Sequence, residues 1–417
     1  MSVKVIIAGG GTGGHLFPGL AVVQELRRRI EDLEVTFVGT ERGIEARVLP
    51  ARGEHLETLE VTPLKGRTSA ELWRSMMRLP GAMMQASQIV RGADLVIGVG
   101  GYASGPVVAA AAMQRIPTAI LEQNAHVGLT NRMLAKLVGR AYLSFEETAS
   151  LFGARARVAG NPVRRPIAQM AKRASADPDG FEARAETILV LGGSQGARAL
   201  NLTAPEAFAQ LARPRKVIHQ TGAAMVDEVQ ARYDALGVDA EAVPFIDDMA
   251  RAYASAAVVV ARAGATTLAE LQAIGRPSVL VPYPHAADDH QAVNARSLEE
   301  AGAATCILER DLDADALASA VGDLLDAPTD ARAMAAAARR RGKPEAAAAI
   351  VDDLVDWLKL PTRTVELSEP PPAAPEGEGG TEFSQPRLRG YGSYQPVLVQ
   401  RTSSMPPPMP RRPLVFA

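Results

Sequence analysis

The sequence predicts an α/β protein made of two Rossmann-like domains whose parallel sheets face a central cleft. Three observations predict it. Short apolar, β-branched runs alternate with helical stretches, a pattern that implies parallel strands covered by helices on both faces. Glycine clusters follow several of these runs, where a strand turns into a helix. The pattern then restarts near residue 187, giving two similar halves with a crevice between them.

Each element follows in order. Val3–Ala8 is an apolar strand that runs into Gly9–Gly14, and a helix is expected from about Pro18 to Arg29. Val35–Gly39, Asp94–Val99 and Thr118–Leu121 are the next expected strands. In the second half, Thr187–Leu191 leads into Gly192-Gly193-Ser194-Gln195-Gly196, and Lys216–Gln220, Ala257–Ala261 and Ser278–Pro282 read as further strands. The proline-bearing stretch Asn161-Pro162-Val163-Arg164-Arg165-Pro166 is the expected hinge, and an apolar helix from about Pro344 to Leu358 closes the folded part. The expected boundaries are residues 1–161, 162–343 and 344–360. From 361 to 417 the composition shifts to runs such as Pro370-Pro371-Pro372, Gly377–Gly380 and Pro406-Pro407-Pro408. Such a stretch buries too little apolar surface to offset its ordering entropy and is expected to be disordered. Its end, Pro410-Arg411-Arg412-Pro413, reads as solvated tail rather than docking motif.

Composition sets limits on function. A chain of 417 residues, 47% hydrophobic, has enough apolar material for two or three cores. Lys plus Arg total 45 against 47 Asp plus Glu, which argues against a nucleic-acid partner held by overall charge. The single cysteine, Cys306, cannot form an internal disulfide and suits a reducing cytosol. No charged leader with a cleavage site precedes the first strand, so no signal peptide is expected. The longest apolar run, Pro106–Met113, is far short of the roughly 20 residues that span a bilayer, so a membrane contact would be made from the side.

Five motifs carry the chemistry. Gly9-Gly10-Gly11-Thr12-Gly13-Gly14-His15 joins a strand to a helix, where glycines allow close approach and the helix start offers free N–H groups and a positive dipole. A diphosphate or a sugar hydroxyl suits that place; a ligand-free turn would rarely need so many glycines. His15 has two readings, a neutral proton acceptor kept uncharged by the dipole or a residue that only caps the helix, and the residues alone leave both open. Gly98-Val99-Gly100-Gly101-Tyr102-Ala103-Ser104-Gly105-Pro106 ends another strand of the same half and would line the same crevice. Gly192–Ala197 opens the second half, with Ser194 able to donate to a phosphate oxygen. Arg262–Glu270 places a glycine turn before a helix whose start can hold a diphosphate, with Glu270 one turn in and able to take a ribose diol. Asp288–Asn294 sets acids beside His290, but no second histidine or acid stands at ligand spacing, so hydrogen bonds to sugar hydroxyls fit better than a metal.

Taken together, these stretches resemble the peptidoglycan UDP-N-acetylglucosamine:lipid I N-acetylglucosaminyltransferases, GT-B glycosyltransferases of family 28. Seven ordered motifs between Val3 and Leu358 carry the resemblance: Gly9–Pro18, Gly98–Pro106, Glu122-Gln123-Asn124 with Gly128–Asn131, Gly160–Arg164, Gly192–Ala197, Gly264–Glu270 and His290-Gln291. Two positions depart from the pattern: Leu121 stands where a histidine is expected, and His290 where some members carry a second glutamine. The resemblance implies inverting transfer of GlcNAc from UDP-GlcNAc to the 4-hydroxyl of MurNAc in lipid I, giving lipid II, with no metal and no other cofactor. It implies donor contacts by Thr12, Gly13, Gly14, Asn124, Arg164, Ser194, Ile246, Ala265, Thr266, Thr267, Leu268, Ala269, Glu270, His290 and Gln291, with Ile246 meeting the uracil through its backbone. His15 and Glu122 are the matching candidates for the catalytic base.

The implied partners are UDP-GlcNAc, lipid I, the cytoplasmic face of the inner membrane and other cell-wall synthesis proteins, with no nucleic acid. A polyprenyl-linked acceptor requires a docking surface, and residues 65–91 are the best candidate. Leu72, Trp73, Met76 and Met77 recur at helical spacing, Met83 and Met84 extend them, and Lys65, Arg67, Arg74 and Arg78 flank them. An amphipathic core helix is the plainer reading of the same residues. Two rivals of other classes remain. An NAD(P)-dependent oxidoreductase, with Glu41 as its acidic partner, leaves the second-half loops unexplained; a nucleotide-sugar binding module without turnover does not.

Overall fold

The computed structural model describes residues 2–41, 43–61, 80–183, 185–193, 196–286 and 289–363. Contacts gather Met1–Val365 into one unit and Glu366–Ala417 into another, and the latter lies outside the described residues.

Two parallel sheets organise the first unit. The first contains β1 (Val3–Gly9), β2 (Leu33–Gly39), β3 (Leu56–Thr58), β4 (Leu95–Gly100), β5 (Thr118–Glu122), β6 (Arg140–Leu143) and β7 (Ala156–Arg157), in the order β3-β2-β1-β4-β5-β6-β7. The second contains β8 (Thr187–Leu191), β9 (Lys216–Gln220), β10 (Ala240–Val243), β11 (Ala256–Ala261), β12 (Ser278–Leu280) and β13 (Thr305–Cys306), in the order β10-β9-β8-β11-β12-β13. The central strands are mainly apolar because helices cover both faces: every residue of β4, β5 and β8 is buried. Four apolar clusters fill the spaces between sheets and helices, one on each face of each sheet.

Four helices matter for the site: α1 (Gly13–Arg29), α2 (Glu45–Ala51), α3 (Ala265–Ile274) and α4 (Ala346–Leu358). The closing helix α4 returns to the first half. Ile350, Val351 and Leu354 enter the cluster that holds Val5, Leu20 and Leu95. Asp353 accepts hydrogen bonds from Arg140 Nε at 3.0 Å, the Tyr142 hydroxyl at 2.7 Å and Arg157 Nε at 3.2 Å. Trp357 packs where a Cβ on Gly139 would come within 2.4 Å of its ring, so only glycine fits there.

Candidate active site at the paired switch points

In each sheet the strand order reverses once, between β1 and β4 and between β8 and β11. Open α/β sheets bind ligands at such reversals, beyond the carboxyl ends of the strands. The four strand-end glycine motifs fall on these two points: Gly9–Gly14 and Gly98–Gly105 follow β1 and β4, and Gly192–Gly196 and Gly264 follow β8 and β11.

On the first side the two glycine loops pack backbone against backbone. Gly10 N donates to Gly100 O at 3.3 Å. A Cβ on Gly9 would lie 2.2 Å from Gly100 O, and one on Gly101 would lie 2.6 Å from Gly10 O. Side chains at either place would push the loops apart. The His15 ring lies over Gly100, where a Cβ would come within 2.7 Å of Cδ2 and 3.0 Å of Nε2.

His15 Nδ1 faces Gly10 O at 3.2 Å and Thr12 Oγ1 at 3.4 Å. A carbonyl can only accept, so the proton of a neutral ring sits on Nδ1 and the lone pair on Nε2. Burial holds the imidazole below its ordinary value; the Gly10 carbonyl and the charges of Glu122 and Glu45 oppose that shift, and His290 adds to it. The ring is therefore neutral at neutral pH and able to take a proton.

Glu122, the other base candidate, is 3% exposed and saturated. Its carboxylate accepts from Asn124 N at 3.1 Å, Gly128 N at 3.0 Å and Asn131 Nδ2 at 2.9 Å. These bonds fold the 123–128 loop around it, so its geometry is that of a loop anchor.

The two halves meet through helix starts. Thr266 Oγ1 of α3 donates to Gly14 O of α1 at 3.2 Å. That carbonyl is available because Pro18, four residues on, has no N–H to return to it. The same proline lies inside the helix, which begins at Gly13 rather than at the expected Pro18. Neither Thr12 nor Gly264, the residues that open α1 and α3, caps its helix with a side chain. Two positive helix ends thus face one crevice with N–H groups to offer an anion.

Arg164 and Glu270, two separate donor contacts in the sequence reading, are joined here. Arg164 Nε and Nη2 donate to Glu270 Oε1 and Oε2 at 2.9 and 3.0 Å, and the Tyr253 hydroxyl donates to Oε2 at 3.2 Å. Burial raises the Glu270 carboxyl above its ordinary value, and Arg164 and Tyr253 pull it back. The guanidinium also stands 5.3 Å from the centre of the Phe17 ring of α1, so Arg164 touches both halves. At 2% exposure Glu270 is not the open ribose ligand that its spacing suggests; Arg164 holds its oxygens.

The remaining predicted residues divide. Ile246 N donates to Gln220 Oε1 at 3.2 Å, which leaves the carbonyl as its backbone group for a base. Gln291 Oε1 accepts from Tyr283 N at 3.0 Å, and His290 opens the same helix, His290–Glu300. Thr12 is exposed, and Gly13, Gly14, Asn124, Thr267 and Ala269 are half-buried. Leu268 is 2% exposed and packs in the core while bordering a cavity beside Ala265 and Ala269. Ala265 and Ala269 line this cavity, of about 250 Å³, together with Gln123, Asn161 and Gln272. Ser194 and the docking residues Leu72, Trp73, Met76 and Met77 lie outside the described residues, as do Lys65, Arg67, Arg74 and Arg78. Of the pair extending them, Met83 packs against the core and Met84 is 68% exposed.

The sequence reading missed Tyr253 and Glu45, and it quoted Phe17 and Asn294 within motifs without giving either a role. Asn294, fully buried, accepts from Ala125 N at 3.2 Å and so ties the two halves beside Asn124. Each makes a contact to a residue distant in sequence: Tyr253 to Glu270, Phe17 to Arg164, Asn294 to Ala125 and Glu45 to Gly11.

The site and fold define a nucleotide-sugar glycosyltransferase of two Rossmann-like halves. Residues 5–143 match the glycosyltransferase family 28 N-terminal domain, and residues 187–350 match the C-terminal domain of the same family. The chain belongs to glycosyltransferase family 28, as its seven motifs led us to expect. It is 48% identical over 363 residues, 86% of this chain and 94% of the other, to the UDP-N-acetylglucosamine--N-acetylmuramyl-(pentapeptide) pyrophosphoryl-undecaprenol N-acetylglucosamine transferase of Anaeromyxobacter dehalogenans (strain 2CP-1 / ATCC BAA-258). The protein of that name from Myxococcus xanthus (strain DK1622) is 46% identical over 85% of this chain and 93% of its own. Among solved structures, the MurG of Acinetobacter baumannii aligns with a TM-score of 0.67 at 31% identity, covering 85% of this chain and 99% of that one.

Proposed function

We propose that this chain transfers GlcNAc from UDP-GlcNAc to the MurNAc 4-hydroxyl of lipid I, giving lipid II, with inversion at the sugar carbon. The observation that carries the reading is the meeting of two uncapped helix starts across one crevice, with His15 beside one and the Arg164–Glu270 pair beside the other. It stands in a chain nearly half identical to relatives named for this reaction. The acceptor oxygen forms a bond to C1 as the bond from C1 to UDP breaks, through an oxocarbenium-like transition state. The hydroxyl proton passes to Nε2 of His15. Negative charge growing on the departing diphosphate is met by N–H groups at the start of α3 and by Arg164. Glu270 holds Arg164 in place and takes the ribose when the guanidinium turns toward the diphosphate.

Turnover with labelled UDP-GlcNAc and lipid I tests this reading. Label is expected in a lipid-linked disaccharide, with one UDP released per transfer. UDP release or sugar epimerisation without labelled lipid would sink it.

The lipid-linked acceptor places the enzyme at the cytoplasmic face of the membrane. No described helix is long and apolar enough to cross one. Beyond the 65–91 segment, the first half exposes Met113, Leu129, Met133 and Leu137 at 77, 51, 69 and 54%. The last three recur every fourth residue, and exposed Arg132 and Lys136 lie between them. Apolar residues edged by cations suit an anionic lipid surface. Trp73→Glu with Met77→Glu is expected to leave the chain folded but to cut vesicle binding and lipid I turnover, while a short-chain soluble acceptor is still used. Normal co-sedimentation with anionic vesicles, or loss of the fold, would place the docking surface elsewhere.

A further inference from the structure

Glu45 begins α2 beneath the first glycine loop and is 1% exposed. Its Oε2 accepts from Gly11 N at 2.7 Å, and its Oε1 accepts from Thr40 N at 2.9 Å and the Thr40 hydroxyl at 3.0 Å. It forms no ion pair among the described residues. A buried carboxylate without a cation is costly unless donors converge on it, and here three do. The space around it is cut to its shape. A Cβ on Gly10, Gly39 or Gly43 would come within 2.4, 2.5 or 2.1 Å of its side chain. Three glycines from two separate turns therefore form a socket for one acid.

The bond to Gly11 N fixes the stretch between Gly9 and Gly11, where φ is +135°, +149° and +87°. That path sets the Gly10 carbonyl against His15 Nδ1. We propose that Glu45 is a positioning residue for His15, holding the glycine loop so that the Gly10 carbonyl fixes the ring and its tautomer. It touches no reacting atom. The effect on turnover rests on His15 being the base, as proposed above.

The titration of His15 supplies a second readout. Glu122 and Glu45 favour the imidazolium, and His290 and burial disfavour it. Removing the Glu45 charge should lower the His15 pKa further, so the acidic limb of kcat should move to lower pH. The Gly10 carbonyl also raises the His15 pKa, so releasing it from Nδ1 moves the limb in the same direction, whereas a Glu45 that did not act on His15 would leave the limb in place.

The test uses the full chain and three variants, followed by kcat, KM, the pH profile and NMR titration of the His15 ring. His15→Ala identifies the His15 resonance by its loss. Glu45→Gln keeps the reach but sets an amide N–H₂ against a donor; kcat should fall about 10- to 100-fold with KM for UDP-GlcNAc within about twofold, since misplacement of a catalytic group costs rate rather than donor binding. Its His15 titration should shift to lower pH. Thr40→Val removes one donor and keeps the charge, so kcat should fall about threefold with the titration unmoved. Should Glu45→Gln fail to fold, Thr40→Val decides alone, and unchanged kcat there overturns the proposal. With Glu45→Gln folded, an unshifted His15 titration overturns it whatever happens to kcat. If His15→Ala keeps near-normal turnover while Glu45→Gln still shifts the titration, the base assignment fails and the positioning role stands.

Discussion

The two halves share one strand order and place glycine loops at the same reversal, yet they load those loops differently. In the first half, Gly10 and Gly100 meet backbone to backbone, and the helix start carries His15. In the second, Gly264 has open space around it, the helix starts with Ala265, and the charged groups Arg164 and Glu270 stand behind it. A tightly packed loop braced by a buried carboxylate suits placement of one proton acceptor. An open helix start backed by a cation suits a diphosphate. The fold supplies two equivalent positions, and the side chains at each decide which substrate it serves.

That division can be broken most directly at His15. His15→Ala is expected to lower kcat by roughly 10²–10⁴ while leaving UDP-GlcNAc affinity nearly intact, the mark of a group that acts in the transition state. In the unmodified enzyme, falling pH protonates the ring and removes the base. Because burial lowers its pKa, the acidic limb should lie below the ordinary histidine value of 6.5. Near-normal kcat in His15→Ala would reduce it to a helix-start or binding residue.

The second half should fail in the opposite way. Glu270→Ala removes the carboxylate that takes the ribose, and hydrogen bonds to a charged group are worth about 1.5–3 kcal/mol, so UDP affinity should fall roughly ten- to a hundredfold. Its pH limb should stay where it was. Calorimetry that finds unchanged UDP affinity would remove Glu270 from the donor site, and a shifted pH limb would show that the halves are not separable.

Most of this division was legible in the sequence, and the gaps have physical reasons. Thr187–Leu191 and Lys216–Gln220 were read at their observed limits because each carries an apolar, β-branched centre where the strand is buried. The unread strands β3, β6, β7, β10 and β13 have two to four residues each, and β3, β7, β10 and β13 lie at sheet edges. Half of each edge strand faces no partner, so little apolar pattern is required. Helix α1 was expected from about Pro18, but it begins at Gly13 and the proline sits inside it. Glycine motifs marked where the site lies. They could not show that Arg164 and Glu270, 106 residues apart, would pair, nor that Glu122 would be consumed by its own loop.

The smallest expected effect concerns the joint between the halves. Thr266 Oγ1 donates to Gly14 O, a carbonyl to which Pro18 four residues on offers no N–H. A neutral hydrogen bond is worth about 1 kcal/mol net, so Thr266→Val should lower kcat/KM by about fivefold if the contact helps bring α1 and α3 together around the diphosphate. Pro18→Ala supplies an N–H that can bond Gly14 O within the helix and compete with Thr266. Thr266→Val should then cost little in the Pro18→Ala background. The interaction energy from such a double-mutant cycle isolates the coupling from the packing lost when the buried proline is replaced. Strict additivity of the two substitutions would mean that the carbonyl does not couple the halves, and that the two switch points act without this contact.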